Sequence, residues 1–576
     1  MCAITGCETG SLQTDQGGAT GFVNRSKWEK VLAPTNLATL EQYTNEWQFN
    51  RYGRTDRPPQ LGLALSGGGM RSGNFCIGVL NGLDKLGILT NIDIISSVSG
   101  GGYAASWYYT QTLNKSGNTN SIFDDNAKYQ RYLLGHGELM SHAAPRPFLY
   151  RWGEYLAVEG PATICSIPLN FLVNGLFGCH LNVSPVRHIY QNGIDRIYQV
   201  VPNNAGKRSF MDWTRTADYM PLVNFFAQKG AADYSLWQNT ARHLDFETLG
   251  KESRGHLPFP IVNTTAYIES PIDYADHQLR NRVFEFTPFH YGSDYYGYAD
   301  YYGHDHDFPV DYNKAISISA AAVDTSSFQV APGSTASWIE SALNFNFGYY
   351  IRNPSRITNT VIWSKFIPLP FYPFFGHYQK DVEGNYTYLD DGDFSENLGA
   401  YSVIRRLCKT IIIVDAGYDP ANQFSDYELL KKALLAEKGV DFSVPDIDHG
   451  PLGTNSWNKP VMSGTISYFP FPMPNQFDMP EKFEINVIYI KMSLDTGRLC
   501  QYPNDVESYY WTTTHDKDVS LGFANFGRSS IFPHRVIEDL SYYPDEIQAF
   551  HELGCYCVTN NANCFTNLEG FHQPIP

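Results

Sequence analysis

Charge is scarce in this chain, and cysteine is scarcer. Charged residues make up 18% of the 576 positions, and ten cysteines are spread along them. So thin a cysteine set excludes a small disulfide-stapled scaffold. Basic residues are outnumbered, 42 Lys and Arg against 59 Asp and Glu, for a net charge of −17 with histidine neutral. This balance argues against a nucleic acid partner, which needs a basic surface, and against docking on anionic lipid by charge alone. A clean membrane-spanning run is missing too. The uncharged stretch from Gly160 to Val186 is interrupted by Pro161, Pro168 and Pro185 and contains Asn170, Asn174, His180 and Asn182. It is expected to be a buried or membrane-dipping element rather than a spanning helix. There is no internal repeat, heptad array or low-complexity tract, and no Pro/Gly/Ser linker divides 57–576.

What is present is apolar and aromatic. Hydrophobic residues reach 43%, with 39 Tyr, 36 Phe and 10 Trp. A chain of this composition buries a large core. At about 150 residues per domain the length suits roughly three to four domains or one large enzyme domain. Pro58 and Pro59 mark a boundary. Residues 1–56 therefore read as an N-terminal extension and 57–576 as one domain, elaborated by an insertion or cap region at 110–380. The first residues lack the basic and apolar regions of a complete secretory signal. Ile4-Thr5-Gly6-Cys7 has lipobox spacing with too little chain ahead of it, so a polar N-terminus is expected.

After Pro59 the texture becomes periodic. Leu61–Leu65 is a short apolar run leading into Ser66-Gly67-Gly68-Gly69-Met70-Arg71, and Phe75, Val79, Leu80, Leu83 and Leu86 then follow at helical spacing. Ile92–Val98 is a second apolar run, followed by Ser99-Gly100-Gly101-Gly102 and the helix-like Tyr103–Trp107. Strand, glycine loop and helix thus occur twice in about 50 residues, the rhythm of a parallel α/β sheet. Further strands are predicted at Tyr386–Leu389, Thr410–Val414 and Phe483–Met492, and a helix at Ser425–Ala436.

Ser99 is the candidate nucleophile. A serine on a tight strand-to-helix turn has its hydroxyl lifted clear of the sheet, and neighbouring glycines let the backbone bend. The Gly-x-Ser-x-Gly pattern reads Ser97-Val98-Ser99-Gly100-Gly101, with serine at the first glycine position. The Ser66–Arg71 loop offers outward amides for a phosphate or an oxyanion. No Gly-Lys-Ser/Thr follows it, and Ser72 stands where a dinucleotide fingerprint needs glycine, so an oxyanion hole fits better. Arg71 adds a permanent positive charge suited to a phosphate. The base for Ser99 is open at this level. Asp390, Asp391 and Asp415 each end a predicted strand, and the late His515, His534 and His551 allow a Ser–Asp–His triad.

Three pieces in order carry a resemblance: Gly67-Gly68-Gly69-Met70-Arg71, Ser-x-Ser99-Gly-Gly, and Asp391-Gly392 followed by Asn397-Leu398. Together they resemble the patatin-like phospholipase and cytosolic phospholipase A2 catalytic-domain families, and the tail Phe532–Gly554 is similar to bacterial members. The wide gap between Ser99 and Asp391, and Ser72 after Arg71, lie closer to the cytosolic phospholipase A2 type. The resemblance implies a three-layer α/β/α fold with a mostly parallel central sheet and large insertions. It implies a lipid acyl hydrolase acting on phospholipids or lysophospholipids through a Ser99–Asp391 dyad. The amides of Gly68 and Gly69 would form the oxyanion hole, and Arg71 would lie near the lipid phosphate. In that setting a buried aspartate is a better proton acceptor than a solvated one.

No metal or other cofactor is needed for such chemistry. The expected partners are the lipid and a transient membrane or micelle surface, with no nucleic acid; oligomeric state leaves no trace in the sequence. A soluble, cytoplasmic protein with peripheral membrane association is favoured over lipoprotein anchoring at Cys7. The rivals are an α/β-hydrolase esterase with a triad and a non-catalytic lipid-binding protein on the same fold. Weaker signals have plainer readings: Gly303-His304-Asp305-His306-Asp307 as a polar loop short of metal ligands, and Tyr291–Tyr302 as a packed loop. The aromatic and proline stretches at 366–378 and 469–474 suit an apolar rim or core packing equally. Cys555, Cys557 and Cys564 read as ordinary thiols.

Overall fold

The computed structural model describes residues 59–113, 121–123, 160–177, 184–199, 257–266, 279–288, 290–293, 295–300, 312–321, 343–354, 386–436, 440–454, 456–468, 483–515, 531–535 and 544–568, with positions 244, 246, 249, 250 and 366. The extension 1–56, the Cys7 motif, the Gly303–Asp307 loop, the stretch at 469–474 and all but Phe366 of 366–378 lie outside them.

Strand β1 (Leu61–Leu65) runs into helix α1 (Gly69–Lys85), and β2 (Ile94–Val98) into α2 (Gly100–Leu113). Helices α3 (Gly160–Phe177) and α4 (Pro185–Tyr198) follow, then β3 (Phe259–Ala266), β4 (Val283–Phe286), β5 (His290–Ser293), β6 (Gly297–Asp300) and α5 (Tyr312–Ser319). Next come β7 (Tyr349–Arg352), β8 (Tyr386–Asp390), α6 (Tyr401–Arg405), β9 (Thr410–Asp415), α7 (Ser425–Ala436) and β10 (Val440–Ser443). The order closes with β11 (Val461–Tyr468), β12 (Phe483–Lys491), α8 (Asn504–His515) and α9 (Pro544–Thr559).

Among the described residues twelve strands form one mixed sheet, ordered β10-β11-β12-β9-β1-β2-β3-β4-β5-β6, with β8 also on β3 and β7 on β8. Its centre, β12-β9-β1-β2-β3, is parallel, as the two strand–loop–helix units require, while the flanks are antiparallel. The α/β class read from the sequence holds. Parallel strands are confined to the buried centre, where helices cover both faces.

Alternation along the strands divides the core in two. Leu61, Leu63 and Leu65 of β1 and Ile412 and Val414 of β9 face a layer holding Phe75 and Val79 of α1, Trp107 of α2 and Phe550 of α9. Ala64, Ile411 and Ile413 face the opposite layer, with Val403 of α6 and Tyr427 and Leu430 of α7. The period-2 geometry of a strand produces this two-sided burial.

The tail packs directly on α1. A methyl group at Gly78 would stand 2.1 Å from the His551 carbonyl oxygen, and one at Gly554 would stand 2.2 Å from that of Phe75. The two backbones cross in close contact, so α9 braces the helix that begins at the glycine loop. The described part of the Tyr-rich run, 291–293 and 295–300, lies in the β5–β6 hairpin, with Tyr296 and Tyr298 buried.

Candidate active site

Ser99 stands between β2 and α2 with φ 47°, a left-handed conformation that costs a non-glycine residue energy and is kept where the surroundings enforce it. Its amide donates to Ser319 Oγ at 2.8 Å, at the last residue of α5. Ser319 Oγ in turn donates to the Asn263 carbonyl of β3 at 2.5 Å. The Asn263 side chain completes a buried lattice. Its Nδ2 donates to Ser96 Oγ at 2.8 Å and to the Ser97 carbonyl at 3.1 Å, and its Oδ1 accepts from Ser402 Oγ at 2.6 Å. The turn is therefore held from three elements.

The hydroxyl of Ser99 donates to Asp391 Oδ2 at 3.3 Å. Asp391 follows β8, which pairs antiparallel with β3 through Thr265 and Asp390. Its amide donates to Asp390 Oδ1, and its own Oδ1 accepts from the Asp393 amide, both at 2.9 Å. Gly392 is dictated by proximity, since a methyl there would lie 2.6 Å from the Asn263 carbonyl oxygen. Both Ser99 and Asp391 are buried, at 4% and 1% exposure.

The glycine loop packs on the nucleophile turn. A methyl at Gly67 would lie 3.3 Å from Ser99 Cβ, and one at Gly100 only 2.0 Å from the Gly69 carbonyl oxygen. Gly68 and Gly69 take φ 130° and 62° at the start of α1, where a helix leaves its first amides without intrahelical acceptors. Arg71 is buried beside them. Its Nε donates to the Ala416 carbonyl at 3.2 Å, its Nη1 donates to the Arg535 carbonyl, and its guanidinium lies 5.8 Å from the Tyr418 ring centre.

The structure thus brings Ser99, Asp391, Gly68, Gly69 and Arg71 into one region. The other acids are engaged differently. Asp390 caps the Asp391 amide, and Asp415 Oδ2 accepts from Tyr489 Oη at 2.6 Å and Lys491 Nζ at 2.8 Å. Burial works against the Lys491 charge, but Asp415 and Asp419 outweigh it and raise its pKa.

Each histidine of the triad reading has its partners elsewhere. His515 is exposed, with Nδ1 2.9 Å from the Trp511 carbonyl oxygen. His534 Nδ1 accepts from the Asp419 amide at 3.3 Å, and burial with the nearby Lys491 and Arg71 charges pushes its pKa down to about 3. His551 Nε2 lies 3.3 Å from Asn81 Nδ2, and burial and Lys85 push it likewise down to about 3.

Ser319, Asn263 and Ser402 carry no local sequence signal; they act through contacts between distant segments. Ser319→Ala is expected to leave the Ser99 amide without its acceptor and to lower kcat about tenfold at nearly constant KM. Ser319→Thr, which keeps the hydroxyl, should restore the rate; steady-state kinetics on the three proteins check this.

No family model matches the chain. Among curated proteins, cytosolic phospholipase A2 gamma of Mus musculus is 38% identical over 64 residues, 11% of this chain and 11% of that protein. Among solved structures, human GIVD cytosolic phospholipase A2 superposes with a TM-score of 0.48 at 12% identity, covering 97% of this chain and 64% of that one. The same human protein in complex with methyl gamma-linolenyl fluorophosphonate gives 0.41 at 13% identity, with 97% and 63% covered. This chain therefore spans less than two thirds of the length of the proteins it is similar to, and its α/β class rests on its own sheet.

Proposed function

We propose that this chain is a serine lipid acyl hydrolase, cleaving ester-linked fatty acids from phospholipids or lysophospholipids. The observation that carries the reading is the Ser99 hydroxyl donating to a buried carboxylate, Asp391, at 3.3 Å from a left-handed turn. The short match to a cytosolic phospholipase A2 falls in with it.

In this mechanism Asp391 takes the Ser99 proton as Oγ attacks the acyl carbonyl. The negative oxygen that develops is held by the amides of Gly68 and Gly69, whose placement costs no reorganisation during reaction. Collapse breaks the ester C–O bond. The leaving alkoxide takes the proton from Asp391, and the acyl group stays on Ser99. Water, deprotonated by Asp391, then attacks the acyl-enzyme carbonyl; collapse breaks the bond to Ser99 Oγ, which takes the proton back from Asp391, and the fatty acid leaves. Arg71 acts on the phosphate by its field rather than as a bidentate clamp, because its Nε and Nη1 are bound to backbone carbonyls. No step calls for a metal.

The test is covalent. A fluorophosphonate probe should label the folded protein at Ser99, identified by peptide mapping, and Ser99→Ala should lose both label and hydrolysis of phosphatidylcholine and lysophosphatidylcholine. An unlabelled Ser99 in folded protein would mean a lipid-binding protein without catalysis.

A further inference from the structure

Helix α3 is built inside out. Surface helices of globular proteins turn their apolar residues to the core and their polar residues to water. In α3, the polar Thr163, Ser166, Asn170 and Asn174, spaced three and four apart, are buried. Thr163 Oγ1 accepts from the Val186 amide at 3.3 Å, and Ser166 Oγ accepts from Asn344 Nδ2 at 3.4 Å. The outward face carries Ile164, Phe171, Leu172 and Leu176, the last two at 59% and 66% exposure. Not one of the eighteen residues is charged.

We propose that α3 is a lipid-docking helix that lies in the plane of a zwitterionic phospholipid surface, its outward apolar face sunk into the boundary between headgroups and acyl chains. The polar atoms of the helix already have a place inside the protein, so the face left outward suits hydrocarbon better than water. Charge selects the kind of surface. A chain of net charge −17 is repelled by anionic lipid, and a face without Lys or Arg gains nothing from it. Among the described residues no helix is long and apolar enough to cross a membrane.

The helix is coupled to the candidate active site through α4. Tyr190 of α4 lies 2.5 Å, oxygen to oxygen, from Tyr103 of α2, and donates to the Ala320 carbonyl at 2.7 Å, one residue beyond Ser319. Helix α3 is tied in turn to α4 by Thr163 Oγ1 and the Val186 amide, so the docking helix is linked by packing to the elements that hold Ser99. This deepens the hydrolase reading and rests on it for its purpose, while the docking itself requires no catalysis.

The experiment is flotation of the full chain with phosphatidylcholine vesicles. Native protein should bind, and Leu172→Glu/Leu176→Glu should weaken partition about tenfold or more. Leu435→Glu, at an exposed leucine of α7 in the opposite layer, should bind as native does. Should the double variant fail to fold by circular dichroism, Leu172→Ser alone takes its place, with the same direction of change. Equal binding by native and α3 variants, no binding by native protein, or binding confined to vesicles with phosphatidylserine would each overturn the proposal. So would a native dimer that the α3 variant splits while vesicle binding stays unchanged, because the face would then belong to a second copy. Hydrolysis of a dispersed short-chain ester should be unaffected by the α3 changes. If native protein cleaves no ester yet needs α3 for vesicle binding, the hydrolase reading falls and the docking surface stands.

Discussion

Asp391→Asn is expected to lower kcat for phospholipid or lysophospholipid hydrolysis by about 10²–10⁴-fold, with the fold intact. The substitution keeps the shape of the side chain and an oxygen that can accept from the Asp393 amide, now at 2.9 Å from Oδ1. What it removes is the ability to take a proton from Ser99, whose hydroxyl donates to Oδ2. The loss should fall on kcat rather than KM, because the missing interaction matters only once the proton moves. The pH profile gives a second readout. His534 and His551 are held down to about 3 by burial and neighbouring positive charges, so both stay neutral above that value and neither titrates in the neutral range. The native profile should accordingly lack a histidine limb near 6.5. A kcat within a few-fold of native for Asp391→Asn, or a steep limb near 6.5 that one histidine replacement abolishes, would remove the dyad and restore the triad.

How much of this was legible in the residues depended on distance along the chain. The two strand–loop–helix units, 61–85 and 94–113, could be read because their signals are local: apolar runs of strand length, glycines at the bends, helical spacing after them. Ser99 followed from the same logic. Asp391 did not. Three strand-end aspartates were equivalent to spacing arguments, and family resemblance alone separated Asp391 from Asp390 and Asp415. The structure gives the physical distinction: Asp415 is paired with Lys491 and Tyr489, Asp390 caps a backbone amide, and Asp391 meets Ser99.

Other features were out of reach for the same reason. Ser319 lies 220 positions from Ser99, and nothing near it in sequence marks it as the acceptor of that amide. On one antiparallel flank the strands β4, β5 and β6 are only four residues long, too short for periodicity to reveal pairing. Helix α3 shows a different limit. Its lack of charge was plain, but Thr163, Ser166, Asn170 and Asn174 at helical spacing would ordinarily mark the wet face, and only tertiary contacts show them turned inward.

The tightest contact in the candidate site leads to the largest expected effect on stability. Gly100→Ala places a methyl 2.0 Å from the Gly69 carbonyl oxygen and 2.8 Å from its nitrogen. Both neighbours are backbone, so no side chain can swing away, and the two strand–helix units must move apart. The cost should be about 3 kcal/mol or more, the upper range for overpacking a well-filled interior. Because the atoms displaced belong to the peptide proposed to hold the oxyanion, catalysis should fail together with stability. Gly87→Ala separates crowding from backbone strain. Gly87 closes α1 with φ 69°, and an added methyl there would find nothing within 4 Å, so its replacement meets only the left-handed penalty of about 1–2 kcal/mol. Urea midpoints and ester hydrolysis on the pair decide the matter: Gly87→Ala should lose a little stability and no activity, Gly100→Ala most of both. Equal, mild behaviour in the two variants would mean that the glycine loop and the nucleophile turn are not interlocked, and the oxyanion site would have to be sought elsewhere.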